Sequence, residues 1–90
     1  MDWRVEFTET AEKQLSKLDR KAQADIFRYF EKRIATGEDP RRLGDPLRKD
    51  LSGLWKYRTG DYRVVCDIQD EKVLVLVLRV GHRSKVYGGH

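Results

Sequence analysis

LWKYRTGDYRVVCDIQDEKVLVLVLRV, residues 54–80, is the stretch whose reading decides the fold. It holds three apolar runs, LWKYR (54–58), YRVVCDI (62–68) and KVLVLVLRV (72–80). They are separated by Thr59-Gly60-Asp61 and Gln69-Asp70-Glu71, short polar connections of the kind that close hairpins. The spacing predicts a three-stranded meander. Side chains alternate faces along a strand, so parity can be read directly. Tyr62, Val64, Cys66 and Ile68 make an apolar face, and Trp55 and Tyr57 are expected to join it. Lys56, Arg58 and Arg63 are then left together on the open face. The third run is apolar at every position from Val73 to Leu78, which predicts a central strand covered on both faces, with Arg79 and then Arg83 emerging at its end.

Working outward, WRVEF (3–7) alternates apolar and polar, as a half-buried strand does. Thr8 stands where an N-cap is wanted, with Glu9 and Glu12 in the first turn, where acids suit the helix dipole. Ala11, Leu15 and Leu18 form the apolar stripe of a short helix. Asp19 caps a second helix whose stripe is Ala22, Ile26, Phe30 and Ile34, with Phe27 beside it and Gly37 as its stop. GEDPRRLGDPLRKDLSG (37–53) holds both prolines and reads as a loop, with room for a turn of helix. The expected fold is α+β, in the order β-α-α-β-β-β, with a two-helix hairpin packed on a small, mostly antiparallel sheet. Residues 1–87 form a single domain in this reading, and 88–90 a flexible C-terminal end.

Apolar residues make up 39% and charged residues 38% of the 90, a composition that suits a folded, surface-rich domain. No apolar run approaches the ~20 residues of a membrane span, and the N-terminus carries no signal pattern. The lone cysteine, Cys66, reads as a small core residue, and the expected compartment is reducing and cytoplasmic. Net charge is +4, with a pI near 9.4. Between residues 41 and 63, Arg41, Arg42, Arg48, Lys49, Lys56, Arg58 and Arg63 face only Asp45, Asp50 and Asp61.

Phosphate-cradling glycine loops and nucleophile elbows are absent, and His82 and His90 have no metal-ligand spacing around them, so no cofactor or metal is expected. What remains is a set of cations interleaved with aromatics, the pattern that holds phosphates and stacks bases. The tail RVGHRSKVYGGH (79–90) adds a titratable imidazole, His82, the fixed cation Arg83 and the ring of Tyr87 to the end of a rigid strand.

LSGLWKYRTGDYRVVC (51–66) followed by RVGHRSKVY (79–87) resembles the RelE/ParE toxin superfamily, and its RelE branch in particular. The resemblance implies the toxin of a type II toxin–antitoxin system. Toxins of this branch are endoribonucleases that cut mRNA in the ribosomal A site without a metal. The resemblance puts the catalytic positions at Lys56, Arg58, Arg63, Arg83 and Tyr87, with His82 beside them; the neighbouring cations Arg48, Lys49, Arg79 and Lys85 are expected to make further RNA contacts.

Attack of a 2′-hydroxyl on the adjacent phosphate needs a clamp for the phosphate, a proton acceptor and a proton donor. Lys56, Arg58 and Arg63 are expected to clamp. Tyr87 is expected to stack on or orient a base, and Arg83 or His82 to assist the leaving group. The branch carries a lysine where this chain has Arg58, and a guanidinium is not deprotonated in proteins. The general base therefore stays open between Lys56 and His82.

Partners implied are a RelB-like antitoxin, acidic and largely helical, and the ribosome with its mRNA. Operator DNA is expected only through the antitoxin complex, and no membrane. Two other functions fit the same residues: a ParE-like inhibitor of DNA gyrase, or a catalytically inactive toxin-like binding module.

Overall fold

The computed structural model describes residues 2–84, and its sheet is built from strand β1 (Arg4–Phe7), β2 (Asp45–Pro46), β3 (Trp55–Thr59), β4 (Tyr62–Gln69) and β5 (Leu74–His82). Their spatial order is β1-β5-β4-β3-β2. Consecutive pairs from β2 to β5 are antiparallel, whereas β1 lies parallel to β5, with Arg4 opposite Leu74 and Phe7 opposite Val77. The meander and the mostly antiparallel sheet are as expected. The added piece is β2, two residues inside the proline-rich loop, with the short helical turns Pro40–Leu43 and Lys49–Leu51 on either side.

Helix α1 (Glu9–Ser16) and helix α2 (Arg20–Tyr29) begin where their caps predict. Thr8 Oγ1 accepts from the Ala11 N–H at 3.1 Å, and Asp19 Oδ1 from the Ala22 N–H at 2.7 Å. Each satisfies an amide that the first helical turn cannot. α2 runs on through a wider turn, Phe30–Ile34, and ends where the Ala35 N–H donates to the Phe30 carbonyl at 2.7 Å. The helix therefore stops before Gly37, and the wide turn rather than the glycine closes it.

Ala11, Leu15, Ile26, Phe30 and Ile34 pack on Tyr57, Val64, Cys66, Val75, Val77 and Val80 as one core between helices and sheet. Cys66 is fully buried, and burial pushes its thiol well above the ordinary range, so it is an inert core residue. The opposite face of β5 is less covered than its composition predicts: Leu74 is buried, but Leu76 and Leu78 are half-buried.

Two local features set the aim of the sheet's side chains. The β3–β4 hairpin turns at Gly60-Asp61, with Gly60 at φ 61°, a left-handed value that glycine adopts at the first central position of such turns. β5 carries a bulge. Val65 is opposite Arg79 and Cys66 opposite Val77, so Leu78 has no partner across the ladder. The extra residue reverses the alternation beyond it. Val80 turns into the core, and Arg79 joins the open face. Beyond the end of β1, α1 covers this edge: Gln14 Oε1 accepts from the Val80 N–H at 2.7 Å, and Thr8 Oγ1 lies 3.4 Å from the Leu78 carbonyl.

Candidate functional site: a cationic cavity on the open face

Register decides which cations meet. Directly opposed residues of neighbouring strands share a face. One row across the sheet is Asp45, Lys56, Val65 and Arg79, and the next is Arg58, Arg63 and Gly81. Lys56, Arg58, Arg63 and Arg79 therefore stand together on the open face, away from the helices. Tyr57 points the other way. It is 1% exposed, and its hydroxyl donates to the Pro40 carbonyl at 2.7 Å, which ties the 37–53 loop to the core.

β2 is too short to cover the whole of β3, and a cavity of about 380 Å³ opens beside the uncovered part. Tyr29, Leu43, Asp45, Lys56, Arg58 and Arg63 line it. A second cavity of about 430 Å³, lined by Asp45, Pro46, Leu47, Arg48 and Lys56, shares two of those walls. Burial pushes the Tyr29 hydroxyl up from its ordinary value, against the pull of Arg33 and Arg42. Arg63 Nη1 donates to the carbonyls of Gly60 and Tyr62, both at 3.0 Å, so the hairpin turn holds this guanidinium in place.

Arg58 and Arg63 are directly opposed, an arrangement of like charges that costs stability. A cavity walled by cations, with no acid beyond Asp45, is suited to a phosphate chain. It offers two guanidinium forks and one ammonium to a tetrahedral anion.

The remaining predicted residues lie elsewhere. Arg48 reaches the second cavity, and Lys49 is exposed, with a left-handed backbone at φ 59°. His82 is opposite Tyr62, two residues past the core residue Val80, and so on the helix side of the sheet. Its ring meets Tyr62 edge-on, with centroids 6.0 Å apart. His82 Nδ1 accepts from the Ser84 N–H at 3.3 Å and lies 3.0 Å from Ser84 Oγ, which puts the neutral ring's proton on Nε2. Arg83 is exposed, and its backbone N–H donates to the Asp61 carbonyl at 2.8 Å. The structure thus brings four predicted cations together and does not bring His82 to them. Lys85 and Tyr87 lie outside the described residues.

Tyr29, Leu43 and Asp45 are cavity residues that sequence reasoning missed. Among the described residues, no group of three or more His, Cys, Asp or Glu is placed to hold a metal ion, and no helix is long and apolar enough to cross a membrane.

Comparison with known proteins agrees with this architecture. Residues 5–87 match the family described as the ParE toxin of the type II toxin–antitoxin system, parDE. The chain is 38% identical over 90 residues to Toxin RelG of Mycobacterium tuberculosis, covering 97% of this chain and 98% of that protein. It is also 38% identical over 85 residues to Toxin RelE of the same organism, covering 94% and 86%. Among solved structures, the toxin–antitoxin complex RelBE2 from M. tuberculosis superposes with a TM-score of 0.84 at 35% identity, covering 94% of this chain and 95% of that one. The isolated E. coli RelE toxin shares the fold, with a TM-score of 0.69 at 24% identity over 89% of this chain and 83% of that one. A family match across nearly the whole length and two full-length toxin relatives lead to one conclusion: the chain belongs to the RelE/ParE family of type II toxin–antitoxin toxins.

Proposed function

We propose that this toxin is a ribosome-dependent, metal-independent mRNA endoribonuclease that cuts in the A site and so stops translation. The observation that carries the reading is the placement of Lys56, Arg58 and Arg63 around one cavity, with Arg79 on the same face. Arg58, Arg63 and Lys56 clamp the scissile phosphate and offset the charge of its pentavalent state. Arg48 and Arg79 extend the track for the RNA backbone. Attack by the 2′-oxygen leaves a 2′,3′-cyclic phosphate and a 5′-hydroxyl.

The partner in this reading is an acidic, RelB-like antitoxin that folds on the basic face; the similar RelBE2 structure, a toxin–antitoxin complex, supports an antitoxin partner. The site of action is the cytoplasm, where ribosomes are, and operator DNA is reached only through the antitoxin.

A gyrase-directed activity is the second reading, because the matching family is described by parDE. The full-length likeness to toxins named RelG and RelE supports the nuclease. Mapping of 5′-hydroxyl ends on mRNA in a translating extract, with wild type, Arg63→Ala and Arg83→Ala, tests it. New cuts that disappear with Arg63→Ala are expected. Intact mRNA alongside broken DNA would transfer the function to gyrase, and neither effect would leave a binding module.

A further inference from the structure

RNA cleavage by its own 2′-hydroxyl requires something to take the proton, and the cavity narrows the choice. Arg58 and Arg63 remain protonated in any protein setting. His82, the imidazole otherwise suited to the task, projects from the opposite side of the sheet. Tyr29 starts as a neutral phenol with its ionisation pushed further up by burial. Lys56 carries an ammonium, a donor with no lone pair to accept a proton. One lining group is an acceptor by its chemistry, the carboxylate of Asp45.

Its position follows from the chain. Gly44 and Pro46 bracket Asp45, and the short β2 pairs it with Lys56 across the ladder. That pairing turns both side chains to the open face. Asp45 borders both cavities on this face and is exposed to solvent. It is near enough to the Tyr29 hydroxyl to oppose its ionisation.

Resting on the endoribonuclease reading above, we propose that Asp45 is a catalytic residue, the proton acceptor for the attacking 2′-hydroxyl. The 2′-O–H proton passes to a carboxylate oxygen of Asp45 as the 2′-oxygen bonds to phosphorus. The P–O5′ bond breaks, and the departing 5′-oxygen takes a proton from the Lys56 ammonium, the lining cation able to release one. Both groups then re-equilibrate with water. A carboxylate is a weak base. The same cations that surround it stabilise the charge that grows on the phosphate as the proton leaves, which offsets the weakness. The charged and titratable groups facing Asp45 are Tyr29 from α2, Lys56 and Arg58 from β3 and Arg63 from β4, with Arg48 from the following loop.

The test is single-turnover cleavage on mRNA-programmed ribosomes between pH 6 and 9, alongside affinity for a fluorescent single-stranded RNA. Wild type is expected to depend only weakly on pH over this range. Asp45→Asn should cut roughly 100- to 1000-fold more slowly while binding RNA as tightly or more tightly, since a negative charge has left a cationic wall. Its residual rate should climb about tenfold per pH unit, as hydroxide replaces the lost base. Asp45→Glu should retain much of the rate. Added formate should restore part of the activity of Asp45→Ala, a rescue that a merely structural carboxylate would not show.

Asp45→Asn cleavage within about threefold of wild type would overturn the assignment and leave the nuclease reading standing. So would a parallel loss of cleavage and RNA affinity. Absence of cleavage by wild type would overturn the nuclease reading, and this assignment with it.

Discussion

The opposed Arg58–Arg63 pair offers the most exacting test of how the site is built, because it sets stability against function. Replacing Arg58 with Glu turns a repulsion into an attraction at a fixed cross-strand position. Cβ atoms of such a pair are ~4.5–5.5 Å apart. With the charges on their stems about 7 Å apart in water, the Coulomb energy is about 0.6 kcal/mol, so reversal is worth about 1 kcal/mol at low salt. Screening at 0.15 M reduces this to roughly half. Arg63 cannot escape the pairing by swinging aside, since the Gly60 and Tyr62 carbonyls hold its guanidinium. For a domain of this size ~1 kcal/mol corresponds to about 4–8 °C in Tm.

Thermal melts followed by circular dichroism at 10 mM, 150 mM and 1 M salt should therefore show Arg58→Glu melting several degrees above wild type. The gap should shrink steadily with salt, while the proposed ribosome-dependent cleavage should be lost. A variant that melts at or below wild type in 10 mM salt would refute the reasoning. A gap indifferent to salt would refute it equally.

Three further outcomes follow from single contacts. Tyr57→Phe deletes a buried hydroxyl and orphans the Pro40 carbonyl, so urea unfolding should show a loss of about 1–2 kcal/mol. Gln14→Leu leaves the Val80 N–H without its acceptor; a loss of roughly 1–3 kcal/mol is expected, with faster amide exchange at Val80 than at Val64, read by NMR. Arg41 grips Asp70 through two hydrogen bonds of 2.6 and 3.1 Å, which holds that carboxyl below its ordinary value. A depressed carboxylate contributes stability above its unfolded pKa and loses it as pH falls through the folded one. Wild type should therefore exceed Asp70→Asn at neutral pH, and the two should converge in acid-titrated melts as pH falls below the ordinary carboxylate range.

The meander and its parity were legible because β4, Val65 apart, alternates: Tyr62, Val64, Cys66 and Ile68 face one way, and a strand with one apolar face specifies its own register. That alternation alone predicted Tyr57 in the core and Lys56, Arg58 and Arg63 on one surface. β5 was not legible in the same way. Val77, Leu78 and Val80 satisfy either face, so nothing in the pattern announces the bulge that sends Arg79 out and His82 to the helix side. Asp45 and Tyr29 escaped notice for different reasons. Asp45 lies in a two-residue strand, too short for any periodicity, inside a loop rich in proline and glycine. Tyr29 sits beside the α2 stripe and reads as an ordinary flank, and only the tertiary fold brings it against β3.

The parallel pairing of β1 with β5 bears on how this protein comes into being. β5 is the last of the five strands among the described residues, yet it occupies the interior of the sheet, and Arg4 must find Leu74 across 69 intervening residues. Closing so long a loop is slow, and contacts of this separation delay folding. A growing chain that has not yet exposed residues 74–82 lacks the strand against which both β1 and β4 are built. Its cations then belong to an unassembled sheet and line nothing. For a protein proposed to attack ribosomes, this topology leaves the proposed site unassembled until the last of these strands has been made.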